Sequence, residues 1–242
     1  MHYPRTTKLF KRPIFEQSRL RLLANQIRKD VIMMTAKAHS GHPAGALGLA
    51  EVFAVLYGFV AQHQPKNPEW KHRDRIILSN GHVCAGLYSV LARTGYFSRE
   101  KLMTFRQINS PLQGHPHFGS VAGIENTSGP LGLGLSQAIG ITQALKLQNI
   151  PAHTFCILSD AEHQEGQTWE AYAYAGAHKL SGLTSIIDRN NIQIGGYTSE
   201  VLDLEPFEQK IEFTKSVKSF WVENFNARKN YIDFIDNKLK NL

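Results

Sequence analysis

The stretch from Ser159 to Gly195 limits most strongly how this chain can fold. An apolar run from His153 to Leu158 leads into it and predicts a strand, and a second run, Leu183 to Ile187, predicts another near its end. Between the two runs, a helical pattern extends from about Gln164 to His178. The pattern therefore predicts a strand, a helix and a strand, the repeating unit of a parallel α/β sheet.

Polar residues follow both predicted strands. Asp160 comes just after the first, and Asn190 lies within Asp188-Arg189-Asn190-Asn191-Ile192 just after the second. Because ligands of open parallel sheets bind beyond the carboxyl ends of the strands, we expect Asp160 and Asn190 to lie side by side. A carboxylate, an amide oxygen and a backbone carbonyl suit a hard divalent ion whose other ligands are phosphate oxygens and water.

The rest of the chain alternates helices and strands, which predicts an α/β class with a largely parallel sheet flanked by helices on both faces. A chain of 242 residues can bury the core of one such domain. We expect an N-terminal arm at 1–14 and a single domain at 15–242. Further helices are predicted at 16–38, 47–61, 83–93, 99–106, 130–147, 206–220 and 231–239, and further strands at 75–78 and 221–225.

The composition excludes several classes of protein. The net charge is +7, but the basic residues before Ala38 alternate with apolar ones at helical spacing, which predicts a solvated helix face and no nucleic-acid partner. The same charge would attract phosphorylated small molecules. No signal peptide or membrane span is expected, and Cys84 and Cys156, the two cysteines, are predicted to be buried thiols in a cytoplasmic protein.

Four histidines stand beside glycine or proline, at positions 42, 82, 115 and 117. His42, His82 and His115 fall in predicted loops or at the ends of elements, which favours a shared site over an apolar core. Their dispersion argues against a transition-metal site. Neutral imidazoles that donate hydrogen bonds or move protons near pH 7 fit better, although a solvent-exposed loop is the alternative for any one of them.

Two further patterns leave alternatives open. The glycines from Gly129 to Gly134 precede an apolar helix, where they would allow either close approach of an anionic ligand or close packing of helix on sheet. The acidic residues that follow Asp160 include Glu162 and Glu170, which we expect to complement the dipole of a helix N-terminus.

Five of these segments, in this order and spacing, resemble the N-terminal, diphosphate-binding part of transketolases. The resemblance covers about residues 16–210. Its motifs are Ser40-Gly41-His42-Pro43, Ser79-Asn80-Gly81-His82, Gly114-His115-Pro116, Gly129-Pro130-Leu131-Gly132, and Asp160 with Asn190-Asn191-Ile192.

The resemblance implies a thiamine-diphosphate-binding fold that holds thiamine diphosphate through Mg²⁺ or Ca²⁺. It makes Asp160, the Asn190 side chain and the Ile192 carbonyl the metal ligands. It also implies sugar contacts at His42 and His115 and a coupling of Glu165 to a partner's glutamate. The implied cofactor contacts are His82, Gly129, Pro130, Leu131 and Ala161.

The family's second, pyrimidine-binding domain carries the glutamate that activates the cofactor ring, and this sequence contains no counterpart. The resemblance therefore implies the N-terminal subunit of a two-chain transketolase, a transferase of two-carbon ketol units between sugar phosphates of the pentose phosphate pathway. It would be active only with a C-terminal transketolase subunit, in a two-plus-two assembly that includes self-association. The alternatives are a diverged, non-catalytic binding protein or another thiamine-dependent enzyme, such as a deoxyxylulose-phosphate or dihydroxyacetone synthase.

The chain departs from the family at two places. The family reads Gly-Asp-Gly around the metal aspartate, whereas this chain reads Ser159-Asp160-Ala161. Alanine adds a methyl group there and disfavours a positive φ. A late Gly-His-Asp of the family has no match in Asn226-Ala227-Arg228-Lys229, where an arginine could bind phosphate but could not act as a neutral proton shuttle.

Overall fold

A computed structural model describes residues 15–194, 196–212 and 218–223 of the chain. The predicted arm at 1–14, the predicted helix at 231–239 and the segment 226–229 lie outside the described residues. The single domain predicted for 15–242 stays a prediction.

Four parallel strands form the main sheet, in the order β1-β2-β3-β6. The strands predicted at 75–78, 153–158 and 183–187 are all present, and each begins within one residue of the expected position. A separate antiparallel pair, β4 and β5, follows the end of β3. The strands are β1 (Arg75–Leu78), β2 (Thr154–Ser159), β3 (Leu183–Arg189), β4 (Ile192–Gln193), β5 (Gly196–Tyr197) and β6 (Lys218–Glu223).

Helices connect the strands and cover the sheet. The α-helices are α1 (Phe15–Ala38), α2 (Pro43–Gly48), α3 (Ala50–Val55), α4 (Cys84–Thr94), α5 (Gly134–Leu147), α6 (Gly166–Ala177), α7 (Thr198–Val201) and α8 (Phe207–Glu212). Short 3₁₀ segments lie at Gly81–Val83, Arg99–Thr104 and Ala161–Gln164, and a π-helical turn lies at Leu56–Val60.

The two faces of the sheet each have a hydrophobic core, because successive side chains of a strand point to opposite faces. On one face, Leu78, Phe155 and Ile157 pack against α1, α3 and α4. On the other face, Cys156 and Leu158 pack against α5, α6 and α8. The prediction of a parallel sheet with helices on both faces is thus confirmed.

Helices α1 and α4 are joined by a largely buried ion pair. The guanidinium of Arg93 donates to Asp30 through Nε (2.5 Å) and Nη2 (2.7 Å), and Ser89 Oγ donates to the same carboxylate at 2.6 Å. Two parallel hydrogen bonds fix both distance and orientation. Helix α4 ends at Thr94, and its C-cap Gly95 has a φ of 99°, the left-handed conformation that glycine adopts readily.

Several predicted helix boundaries were wrong. The helix expected at 47–61 is broken into α2, α3 and the π-turn, with Leu49 outside helical geometry at ψ 7°. The helix expected from Pro130 begins at Gly134, because Gly129 and Gly132 have φ values of +156° and +78°. Such values do not belong to a right-handed helix.

Two other expected helices also differ. The helix predicted at 164–178 is a 3₁₀ segment followed by α6, which begins at Gly166. The helix predicted at 206–220 ends at Glu212, and residues 218–220 belong to β6, which begins before the strand predicted at 221–225. Among the described residues, none of the helices is both long and apolar enough to cross a membrane.

Replacing Gly86 on α4 by alanine is expected to destabilise the fold. A Cβ on Gly86 would lie 2.5 Å from Cε2 of the buried Phe53 ring. Overpacking of this kind costs about 1–3 kcal/mol, against the roughly 1 kcal/mol that alanine gains over glycine within a helix. Urea unfolding is expected to show a net loss of about 1 kcal/mol.

The matched control is Gly140→Ala on α5, where an added Cβ would meet nothing within 4 Å. That substitution should raise the free energy of unfolding by roughly 0.5–1 kcal/mol, because only the backbone entropy of the unfolded chain changes. Equal stabilisation by both substitutions would contradict the tight contact between Gly86 and Phe53.

Candidate functional site

The carboxyl ends of β2 and β3 are tied together by Asp160. Its backbone N–H donates to the carbonyl of Asp188 at 3.0 Å. Its carboxylate accepts from Ala161 N–H at 2.8 Å and from Asn191 N–H at 2.6 Å. The structure therefore brings Asp160 beside the 190–192 loop, although the two are far apart in sequence.

The 190–192 loop is held in a tight turn. Asn190 Oδ1 accepts from Ile192 N–H at 2.9 Å, and Asn190 Nδ2 donates to Asp188 Oδ2 at 3.2 Å. Asn191 has a φ of 60°, and its N–H donates to Asp160. The carboxylate of Asp160 and the amide of Asn190 thus face the same small region, although among the described residues no three histidine, cysteine or acidic side chains group as a metal site by themselves.

Burial changes the pKa values of the carboxyl groups at the ends of β2 and β3. It raises the pKa of Asp160, an effect that hydrogen bonds from Asn191 and Ala161 oppose. The pKa of Asp188 is raised to about 7, mainly by burial and in addition by the nearby Asp160 charge, against the opposing effect of the Asn190 hydrogen bond. Two buried carboxylates with amide and carbonyl oxygens beside them are a suitable donor set for a hard divalent cation, so the residues present fit a metal-held diphosphate.

Ala161, the departure from the family's glycine, adopts ordinary geometry. It is the first residue of the 3₁₀ segment Ala161–Gln164 and caps the Asp160 carboxylate with its N–H. The expectation that alanine would meet a positive φ here was wrong, because the backbone at this point is right-handed helical. The methyl group therefore causes no backbone strain.

Three of the four histidines come together. His42 and His82 pack edge to face, with ring centroids 5.8 Å apart. A Cβ placed on Gly81 would lie 3.1 Å from His115 Cδ2, so the His115 loop lies against the 3₁₀ segment that carries His82. His117 is exposed.

The charge state of these rings follows from their surroundings. Burial, together with the neighbouring His42 and His115, lowers the pKa of His82 from 6.5 to about 4. The pKa of His115 is lowered by burial, then by the Arg106 charge and by His42. Both rings are therefore neutral near pH 7 and can each donate one hydrogen bond and accept another.

The glycine loop, residues 129–134, lies beside the histidines. A Cβ on Gly81 would lie 2.6 Å from Ser128 Oγ and 3.1 Å from Gly129 N, so only glycine permits this contact. Ser128 Oγ and both amide atoms of Asn80 are buried without a hydrogen-bond partner within the described part of the chain. Buried polar atoms of this kind indicate a missing ligand or water.

Arg106 connects the two loops that carry His42 and His115, a role that no sequence pattern indicated. Nη1 donates to Ser40 Oγ at 2.7 Å, and Nη2 donates to the carbonyl of Gly114 at 3.5 Å. Its own φ is 58°, an unusual value for a residue with a side chain. The residue was expected at the end of a short helix, and its backbone conformation could not be read from the sequence.

Glu162 is buried, whereas Glu165 is exposed. The carboxylate of Glu162 is fully buried, so the expectation that it merely complements a helix dipole was wrong. Glu165 is exposed at the N-cap of α6, and its Cβ would lie 2.9 Å from a Cβ on Gly132. Glu165 therefore stands at the surface beside the glycine loop.

A family model described as the thiamine diphosphate binding domain of transketolase matches residues 20–215. This match covers the sheet edge, the histidines and the glycine loop described above. The chain belongs to the transketolase N-terminal domain family.

Relatives agree with this membership. The chain is 40% identical over 195 residues to the 6-deoxy-6-sulfo-D-fructose transketolase subunit of Clostridium sp. (strain MSTE9), covering 81% of this chain and 71% of that protein. It is 40% identical over 186 residues to transketolase 1 of Escherichia coli (strain K12), covering 72% of this chain and 28% of that enzyme. The transketolase domain described here thus spans less than a third of the Escherichia coli enzyme and most of the Clostridium subunit.

Solved transketolases share the fold. The structure from Campylobacter jejuni matches with a TM-score of 0.78 and 39% identity, covering 84% of this chain and 32% of that one. The Pichia stipitis transketolase in complex with sedoheptulose 7-phosphate also matches at 0.78, with 33% identity over 91% of this chain and 34% of that one. The family establishes a thiamine diphosphate-binding fold for the chain.

The His82 ring is expected to remain neutral at pH 5.5 in the folded chain, because burial lowers its pKa to about 4. The unfolded chain binds this proton near its ordinary value of about 6.5. Between pH 6.5 and 4 only the unfolded state takes up this proton, so the contribution of His82 to stability falls as the pH falls.

NMR titration of the histidine rings measures the midpoint of the His82 titration, with His82→Gln to assign the signal. A midpoint above pH 6 would contradict the buried setting.

Proposed function

We propose that this chain is the diphosphate-binding subunit of a two-chain transketolase. The observation that carries the proposal is Asp160 at the end of β2, hydrogen-bonded to the loop that follows β3. Family membership supports thiamine diphosphate as the cofactor, and a relative of similar extent is itself named as a transketolase subunit.

Asp160, the Asn190 side chain and the Ile192 carbonyl would hold Mg²⁺ or Ca²⁺. Each Asp160 oxygen accepts one N–H and keeps a free lone pair for a cation. The other contacts would come from the glycine loop and the facing segment: His82 toward the diphosphate, and Gly129, Pro130, Leu131 and Ala161 along the cofactor. The unpaired atoms of Asn80 and Ser128 lie in this same region.

Thiamine diphosphate, when bound, supplies the electron sink that allows a ketose to release a two-carbon ketol unit. The chain's own residues bind and orient the sugar. His42 and His115 would donate hydrogen bonds to its hydroxyl and carbonyl oxygens and hold protons at their ring nitrogens. The lowered pKa of His115 keeps that ring neutral, so it can both give and accept a proton near pH 7.

Activity would require a second chain with the pyrimidine-binding domain. Glu165 is exposed beside the glycine loop and would face a glutamate of that partner. The assembly would hold two copies of each chain, act on sugar phosphates and work in the cytoplasm. The absence of backbone strain at Ala161 supports a cofactor-binding chain over a diverged, non-binding one.

The decisive experiment is co-purification of this chain with a candidate pyrimidine-binding chain from the same genome. With Mg²⁺ and thiamine diphosphate added, ketol transfer from ketose to aldose is followed for each chain and for the complex. The donors should include ketose phosphates, 6-deoxy-6-sulfo-D-fructose and pyruvate, which separate this proposal from other thiamine-dependent enzymes. A folded complex that transfers no ketol unit from any of these donors would refute the proposal.

Asp160→Asn is expected to weaken thiamine diphosphate binding by about 100-fold, because the isosteric amide loses the charge that holds the cation. His42→Ala should instead lower turnover by about 10²- to 10⁴-fold and leave cofactor affinity within roughly threefold. Calorimetry and turnover on the two-chain complex separate the two effects.

The matched control for the aspartate is Asp203→Asn, which makes the same change at an exposed position. That variant should bind the cofactor as the unmodified chain does. Unchanged affinity in Asp160→Asn would overturn the assignment of Asp160 as a metal ligand.

A further inference from the structure

The carboxylate of Glu162 is the most fully enclosed acidic group near the site. Its exposed fraction is 0%. Oε1 accepts from Ser79 Oγ at 2.5 Å and from Gly132 N–H at 2.9 Å. Oε2 accepts from Ser159 N–H at 2.8 Å and contacts Ser159 Oγ at 3.3 Å. A buried charge with this many donors is fully satisfied.

These contacts join three separate parts of the chain. Ser79 follows β1, Ser159 ends β2, and Gly132 belongs to the glycine loop. Ser79 Oγ also accepts from Gly134 N–H at 3.1 Å, so its own proton must go to Glu162. We call this set the carboxylate clasp: Ser79, Gly132, Gly134, Ser159 and Glu162.

Close packing makes the clasp rigid. A Cβ on Gly134 would lie 2.3 Å from Ser79 Cβ, so the start of α5 is pressed directly onto the end of β1. A Cβ on Gly132 would lie 2.8 Å from Thr168 Oγ1, which places α6 on its other side. The glycine loop is therefore fixed at both Gly132 and Gly134.

The chemistry of the clasp requires an acceptor with two oxygens. Gly132 N–H and Ser79 O–H both point at Oε1, and Ser159 N–H points at Oε2. Glutamine has nearly the same shape, but its NH₂ group would face one of these donors and leave it unpaired. An unpaired buried donor costs free energy, so the loop would move away to reach water.

We propose that Glu162 is a positioning residue of the cofactor site. It holds the backbone of Gly129, Pro130 and Leu131 in a fixed position relative to the carboxyl ends of the strands. Glu162 lies two residues after Asp160 in the sequence. The inference rests on the proposed function, because the ligand that the loop would meet is thiamine diphosphate. Glu162 itself touches no ligand and acts through the N–H of Gly132 and through Ser79.

The test compares Glu162→Gln with Glu170→Gln, which makes the same change at an exposed position of α6. Hydrogen–deuterium exchange of peptide 128–134 is measured on the chain, with α4 as an internal reference. Affinity for Mg²⁺–thiamine diphosphate is measured by calorimetry on the two-chain complex.

We expect Glu162→Gln to speed exchange at 132–134 and to weaken binding, each by about tenfold, because one hydrogen bond to a charged group is lost. Glu170→Gln should change neither.

The outcomes distinguish this inference from the function on which it rests. If the unmodified complex does not bind thiamine diphosphate, the proposed function fails and this inference fails with it. If the unmodified complex binds and Glu162→Gln binds equally well, only the positioning role is overturned. A lower melting temperature with unchanged affinity would likewise overturn it, since that result describes a purely structural residue.

Ser79→Ala serves as the second variant in case Glu162→Gln does not fold. It keeps the carboxylate and removes the hydroxyl that links Glu162 to Gly134. Exchange at Gly134 and cofactor affinity should change in the same direction as in Glu162→Gln and by less. No change in either measurement would overturn the clasp.

Discussion

The parallel pairing of β1, β2 and β3 is the constraint on which the site depends. Leu78 pairs with Ile157, and Ser159 pairs with Asp188, so the three strands end at nearly the same level. The loop that follows each of these strands therefore begins at the same edge of the sheet. Asn80, Asp160 and the 190–192 loop all follow strands of this set, so they lie at the same edge of the sheet.

Burial gives this edge two kinds of electrostatic environment. On the side of β2 and β3, two carboxylates lie close together with raised pKa values, which a bound cation would relieve. On the side of the glycine loop lie the neutral rings of His82 and His115, together with the Asn80 and Ser128 side-chain atoms that have no hydrogen-bond partner among the described residues. A ligand that carries both a divalent cation and a diphosphate is the type that complements both environments at once.

Much of the fold could be predicted because the strands are short apolar runs buried on both faces. The strand at 75–78 was predicted to the residue for this reason. Helix starts near glycines could not be predicted as well, since the sequence does not show that Gly132 has a positive φ. Glu162 was misread because its partners, Ser79 and Gly132, are distant in sequence and its spacing suits a first helical turn. Where Asp160 and the histidines lie was expected, while their roles stay predictions.

The carboxylate clasp joins parts of the chain that are far apart in sequence, which bears on the order of folding. Ser79 and Glu162 are 83 positions apart, and Gly132 lies between them. Closing such a loop is entropically costly until the strands that flank it have paired. We therefore expect the glycine loop to take its final shape only after β1 and β2 have paired. During synthesis, this part of the pocket stays unfinished until residue 162 has left the ribosome.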